Sequence, residues 1–298
     1  MVVPGRKKSV IRPNSPEGRN NGSRFFFIAI FSISTPNLEC PLQRIAIFTA
    51  TRWEFQAIQQ AIAGGRTTKT EGLRQYTVDW PSGSVTVIQT GIGLQKAIKA
   101  CRQVLAKTRY DLAISSGFAG ALISSSIGAL VIPNVVVLGK ADFGEGSESC
   151  SYHCRVEYSS IIHQVQESLN LQCVSDVLVS VSWIVCSALE KLALAKTYQA
   201  SALDMESAGI AAVAQEHHVP FLVIRTVSDL QDEALPQEFN LFLSPATWMQ
   251  GLWRMVSRPA LWRQVYRLRR QSKVASKELT RFFEMFVAHL RQRETCQK

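Results

Sequence analysis

Short apolar runs that alternate with helix-spaced segments set the rhythm of this chain. Ile45, Ala46, Ile47 and Phe48 follow one another without a polar break. That is the pattern of a strand buried on both faces. From Trp53 the period changes, and Phe55, Ile58 and Ile62 recur along one side of a helix. LRQYTVDW and SVTVIQT flank Pro81-Ser-Gly83 and read as a hairpin. GIGLQKAIKACRQVLA places Gly91 and Gly93 at a turn and then continues as a helix. DLAISSG is a second buried strand, and IGALVIPNVVVLG is a strand pair or one bent strand broken at Pro133. Residues 139–155, rich in Gly, Ser and Glu, read as an excursion loop. A helix over roughly 157–170 and the strand-like DVLVSVSWIV follow. Ser187 to Glu190 reads as a capping box opening the next helix, with Ser187 bonding the amide of Glu190 and Glu190 reaching back. SALD is a short strand end, MESAGIAAVAQEHH a helix, and VPFLVIRTVSD a final buried strand. This alternation predicts an α/β fold with a mainly parallel sheet, and no internal repeat interrupts it.

After Pro245 the character changes to two helical segments. In the second, Leu279, Phe282, Phe283, Phe286, Val287 and Leu290 form a stripe at three- and four-residue spacing, as a helix packed on the domain would. In the first, Leu261, Val265 and Leu268 share one face while Arg263, Arg267 and Arg270 line another, with Trp248, Trp253 and Trp262 nearby. A basic aromatic helix of this kind can also lie on an anionic membrane surface. The expected organisation is therefore an N-terminal extension over 1–43, an α/β domain over 44–244 and basic helices over 245–298.

Charge supports that division. The 298 residues carry a net charge of +10. Residues 1–44 hold seven Lys/Arg against two acids, and 251–298 hold twelve against three, whereas 45–250 hold 14 against 18. The central domain is mildly acidic, so a nucleic-acid partner is not expected. Seven scattered cysteines fit reduced thiols and a cytoplasmic location better than a disulfide framework. Cys150, His153 and Cys154 make too sparse a set for a metal clip. The basic start followed by FFFIAIF has the outline of a leader, but its Pro and Gly residues favour an extension without fixed structure. No apolar run reaches the about 20 residues that a membrane-spanning helix needs.

In open α/β sheets, ligands gather at the carboxyl ends of strands. Here those ends offer Thr49, Thr51 and Glu54, then QTGIG, SSGFAG, LDMES and RTVSD. Three carboxylates, Glu54, Glu206 and Asp229, converge there without metal-ligand spacing. Each has a bland account on its own: Glu54 and Glu206 as first-turn helix acids, Asp229 as a loop cap. Together those accounts leave the shared location unexplained. QTGIG lacks the third glycine and the later acid of a dinucleotide fingerprint, so no redox cofactor is implied, and no metal is implied either. His217 and His218 sit at a helix end, away from these strand ends.

ALDMESAGIAAVAQEHHVPFLVIRTVSD, with IAIFTATRWE, VIQTGIG, SSGFAGAL and IGALVIP in the same order, resembles the signature blocks of the nucleoside phosphorylase superfamily. The branches it is most similar to are the methylthioadenosine/S-adenosylhomocysteine nucleosidases and the hopanoid-associated phosphorylases. The resemblance spans about residues 44–240. It implies a three-layer, phosphorylase-like fold around a mixed, mainly parallel twisted sheet, and a homo-oligomer.

It also implies roles. Glu206 would accept the ribose 2′- and 3′-hydroxyls, Met205 would pack on the sugar and Arg225 would orient the carboxylates. Asp229, after Ser228, would protonate the purine at N7, and Glu54 would activate water. Gly91, Phe118 and Ala119 fall in the turns that face substrate, and Trp183 and Ile184 in the base-stacking segment. The types suit the chemistry, because cleavage gives an oxocarbenium-like sugar and an anionic base. Two departures stand out: Phe118 replaces a serine in SSGFAG, and Ala129 replaces a strand acid. They leave the 5′-substituent and the nucleophile open. The implied function is hydrolysis of a purine nucleoside, with a 5′-substituted adenosine as substrate. The alternatives are phosphorolysis, including of a lipid-linked adenosine in hopanoid metabolism with the basic helices touching membrane, and a non-catalytic nucleoside-binding module.

Overall fold

A computed structural model of the chain describes residues 44–81, 83–140, 150–155, 159–242, 253, 257 and 259–295. The N-terminal extension, Trp248 and most of the excursion loop lie outside the described residues. All described residues belong to the unit Leu38–Lys298.

The sheet is organised by β5 (Leu112–Ala121), whose length lets it meet three partners. It pairs in parallel with β1 (Arg44–Thr49) and β12 (Phe221–Asp229), and its end pairs antiparallel with β11 (Ala202–Asp204). Outward from β1 lie β4 (Gly83–Gln89), β3 (Leu73–Trp80) and the edge strand β2 (Arg66–Thr70). Outward from β11 lie β10 (Val177–Ser180), β7 (Val135–Leu138) and β8 (Ser151–His153). A short arm of β6 (Leu130–Val131) and β9 (Cys173–Val174) joins through β12. The β3–β4 hairpin and the break at Pro133 between β6 and β7 fall where the pattern put them. β2 and β8 do not: RTTKT is wholly exposed, and SYH is three residues long within the reading of an excursion loop. Neither carries an apolar alternation to announce a strand.

Among the described residues six α-helices flank the sheet: α1 (Arg52–Ala61), α2 (Leu94–Leu105), α3 (Ser159–Leu169), α4 (Ala188–Tyr198), α5 (Ser207–Glu216) and α6 (Pro259–Thr295). Successive strand residues point to opposite faces. Arg225 of β12 bonds Ser207 of α5, while its neighbour Thr226 donates to the carbonyl of Ala275 in α6. So α5, with α2 packed on it, covers one face, and α6, with α1 and α3, covers the other. That is a three-layer α/β fold around a mixed sheet. The helical pattern after Pro245, read as two segments, is one continuous 37-residue helix from Pro259. Its Leu279, Phe282, Phe283, Phe286, Val287 and Leu290 are buried in the main core. Gln271 and Arg267 of α6 also reach Glu233 and Ala234 in the loop after β12.

Candidate active site

The carboxyl ends of β1, β5, β11 and β12 surround a cavity of about 190 Å³. A larger cavity of about 620 Å³ lies at the opposite ends of β5 and β12, beside Tyr110, Asp111 and His218, and lacks convergent carboxylates. The smaller cavity is the one that strand topology singles out.

Glu54 enters from the first turn of α1. Thr51 and Glu54 form a reciprocal capping box: Glu54 N–H donates to Thr51 Oγ1 (3.3 Å) and Thr51 N–H to Glu54 Oε2 (2.6 Å). Thr51 Oγ1 also donates to Oε2 (2.9 Å), and the Phe118 amide donates to Oε1 (2.8 Å). Glu54 is thus both the helix-start acid that the pattern allows and a buried group facing the cavity. Its approach needs Gly117: φ there is +147°, and an added Cβ would lie 2.3 Å from Glu54 Oε1.

The two acids of LDMES have separate tasks. Asp204 closes β11 and is a structural acceptor. It takes the Ser207 amide (3.1 Å), the Ser180 hydroxyl and the Arg225 guanidinium (Nη2 to Oδ2, 2.6 Å). Glu206 precedes α5 and turns to the amino end of α2, accepting the Gly93 amide at 2.8 Å, with Arg225 Nη2 at 3.4 Å. Burial pushes the Glu206 carboxyl up to about 7, opposed by Arg225 and reinforced by Asp204 and Glu54. Arg225 is 1% exposed, and its donors go to Asp204, Glu206, Ser115, Ser207 and the carbonyl of Phe118. It orders the carboxylates from behind and does not line the cavity. Gly91 does not line it either: its amide donates to Ala50 O (3.1 Å), and the neighbouring Ile92 lines the cavity instead.

Asp229 stands at the far side. The β5–β12 register shifts between Val227 and Asp229, so Ser228 is an extra residue in β12. Such a bulge re-aims the side chain after it. Ser228 Oγ donates to Asp229 Oδ1 (3.0 Å), and Lys191 Nζ of α4 donates to Oδ2 (2.6 Å). Gly120 leaves room for the group, since a Cβ there would meet Oδ2 at 2.9 Å. Met205, Phe118, Ala119, Trp183, Ile184, Ser228 and Leu235 complete the wall. Trp183 and Ile184 lie beyond β10 in a loop, where Trp183 Nε1 donates to Glu190 (2.6 Å) and Asn240 bonds both backbone groups of Ile184. Glu190 therefore does not reach back to Ser187. Only half of the expected capping box forms, with Ser187 Oγ accepting the Glu190 amide.

Glu54, Glu206 and Asp229, set apart in sequence, meet at one cavity. Pattern reading missed Asp204 as the closest ion-pair partner of Arg225, Lys191 as the partner of Asp229, and Ile92, Leu203 and Leu235 as lining. A lysine in the apolar stretch ALEKLALA was the one signal available for Lys191. Among the described residues no group of three or more His, Cys, Asp or Glu side chains is arranged to hold a metal. The described cysteines are free, and burial pushes the Cys154 thiol up to about 12.

Comparison with known proteins agrees with this architecture. Residues 44–247 match the family model described as the phosphorylase superfamily. Among solved structures, the 5′-methylthioadenosine/S-adenosylhomocysteine nucleosidase of Helicobacter pylori superposes with a TM-score of 0.64 at 18% identity, covering 84% of this chain and 99% of that one. The futalosine hydrolase of Helicobacter pylori gives 0.64 at 19% identity, over 83% and 98%. The nucleosidase of Neisseria meningitidis gives 0.61 at 17%, over 82% and 99%. At these identities the structural likeness speaks for the fold.

Proposed function

The chain belongs to the phosphorylase superfamily, and from that premise we propose that it hydrolyses the N-glycosidic bond of a purine nucleoside, with a 5′-substituted adenosine as substrate. The observation that carries this reading is how the lining groups are held. Glu54, against Gly117 and the Phe118 amide, lies beside Glu206, whereas Asp229 lies against Gly120 and is tied to Lys191, next to the Glu190 that holds Trp183. A ribose between the glutamates and a purine against Trp183 would place the scissile bond between them. Glu206 would hold the ribose hydroxyls, and the carboxylates would stabilise positive charge growing at C1′. Glu54 would orient and deprotonate the attacking water while Asp229 protonates N7 of the departing base. The solved structures it resembles, nucleosidases and a futalosine hydrolase, lean the same way.

Water is favoured over phosphate by charge. Among the described residues lining the cavity none is Lys, Arg or His. The nearby cations, Arg225 and Lys191, are buried and engaged with carboxylates. A phosphate dianion would meet acids and, among the described lining residues, no cation to receive it. The test is adenine release from 5′-methylthioadenosine, S-adenosylhomocysteine and a 5′-alkyl adenosine, each with and without phosphate. Release independent of phosphate is expected. Release only with phosphate would replace hydrolysis by phosphorolysis, and none from any substrate would leave a lipid-linked adenosine to try.

That last substrate has one observation in its favour. At the start of α6, Trp262 and Tyr266 are 60% and 65% exposed, beside exposed Arg263, Arg267, Arg269 and Arg270. Aromatic side chains among arginines suit the interface of an anionic bilayer.

A further inference from the structure

Hydrolysis leaves one proton unaccounted for. The purine departs as a stable base only if N7 gains a proton, yet the acid assigned to deliver it is held against a cation. Lys191 lies in the first turns of α4 and is 1% exposed. Its Nζ donates to Asp229 Oδ2 at 2.6 Å and to the Leu230 carbonyl at 2.5 Å. Among the described residues Asp229 is its one carboxylate partner. A buried ammonium is costly, and one set on a single buried carboxylate at a cavity wall calls for a reason. The residue before it, Glu190, holds Trp183 on the same wall. Two adjacent residues of α4 therefore fix both the surface a base would stack on and the group that would protonate it.

We infer that Lys191 is the proton source behind Asp229, a positioning residue whose ammonium proton reaches the departing purine through the Asp229 carboxyl group. The inference rests on the functional reading above. As the C1′–N9 bond breaks, its electron pair goes to the base. Asp229 gives a proton to N7 and takes one from Lys191 Nζ, so that Lys191 ends neutral and Asp229 anionic. Water adds to C1′ and loses its proton to Glu54. Glu54 releases that proton to solvent, and Lys191 regains one from solvent, so the sum is nucleoside plus water giving 5′-substituted ribose plus neutral base.

The test uses a leaving group that needs no proton. Wild type, K191M, D229N and K191M/D229N are assayed on the purine nucleoside cleaved fastest and on the 4-nitrophenyl riboside carrying the same 5′-group. K191M is expected to lower kcat on the purine nucleoside roughly 10²- to 10⁴-fold with KM changed only a few-fold, and to leave the nitrophenyl riboside within about tenfold. The double variant should be no slower than D229N, because two residues acting as one unit are not additive. Equal losses on both substrates, an unchanged purine rate in K191M, or multiplying losses in the double variant would each overturn the inference. If K191M fails to fold because Asp229 is left unpaired, K191Q, which keeps a hydrogen-bond donor to Asp229 but supplies no ammonium proton, takes its place in the same comparison, with the same loss on the purine nucleoside alone expected and an unchanged purine rate overturning the inference. A wild type that releases base from no purine nucleoside would instead sink the functional reading itself.

Discussion

Glu206 carries the clearest single-residue consequence. Its carboxyl titrates near 7 because it is buried, with Asp204 and Glu54 adding to the effect against the pull of Arg225. A carboxylate that must accept two ribose hydroxyls works in its ionised form. The kcat/KM of the free enzyme should therefore climb as pH passes about 7, and a pH–rate profile of E206Q should lose that limb along with most of the activity. Stability has the opposite sign. The folded chain keeps this proton to about 7, whereas the unfolded chain releases it near 4.5. Unfolding between those values therefore releases a proton, and stability falls as pH rises through that window. E206Q should flatten that slope in Tm measurements. Gly117 offers a second test. G117A would push a methyl into Glu54 at a backbone angle that L-residues avoid, and a loss on the order of 10²-fold in kcat/KM is expected from misplacing the group. Wild-type rates would refute the positioning of Glu54.

Elements place these residues by means that their own sequences disclose unevenly. The capping box of α1 is written in the spacing of Thr51 and Glu54, but its second use, accepting the Phe118 amide, depends on β5 lying alongside. The bulge at Ser228 has no composition signal, because it arises from register between β12 and β5. The aromatic stripe of α6 is the opposite case. Its three-four spacing predicts burial, and Phe282, Phe283 and Phe286 form a mutual cluster with ring centroids 5.7 to 6.1 Å apart. F282A should cost about 3–5 kcal/mol in urea unfolding, as removal of a buried ring does. A loss below about 1 kcal/mol, the scale of an exposed-site change, would show that α6 contributes little to the core.

On the scale of the whole molecule, α6 joins the core to the loop after Asp229 and also carries the exposed Trp262 and Tyr266. No helix among the described residues is long and apolar enough to cross a membrane. If this surface meets lipid, contact is peripheral and electrostatic. Co-sedimentation with vesicles containing phosphatidylserine should exceed that with neutral vesicles, weaken with salt and drop in W262A/Y266A. Equal sedimentation with both vesicle types, or none, would remove membrane contact from the picture.

Fold class, the helix that closes the core and the set of acids to watch were all legible along the chain. Those properties follow from local periodicity and from residue types at strand ends, which neighbours along the chain suffice to express. How the acids divide their work became visible once distant segments were packed together. Asp204 and Glu206 are two residues apart, equally polar in the sequence and both at the cavity, yet the side chain of one is enclosed by Ser180, Ser207 and Arg225 while that of the other turns to the amino end of α2. Lys191 and Asp229 are 38 residues apart and meet at 2.6 Å because α4 begins and β12 ends at the same wall. A charge in low dielectric is governed by what lies within a few ångströms, and that company is assembled from distant parts of the chain.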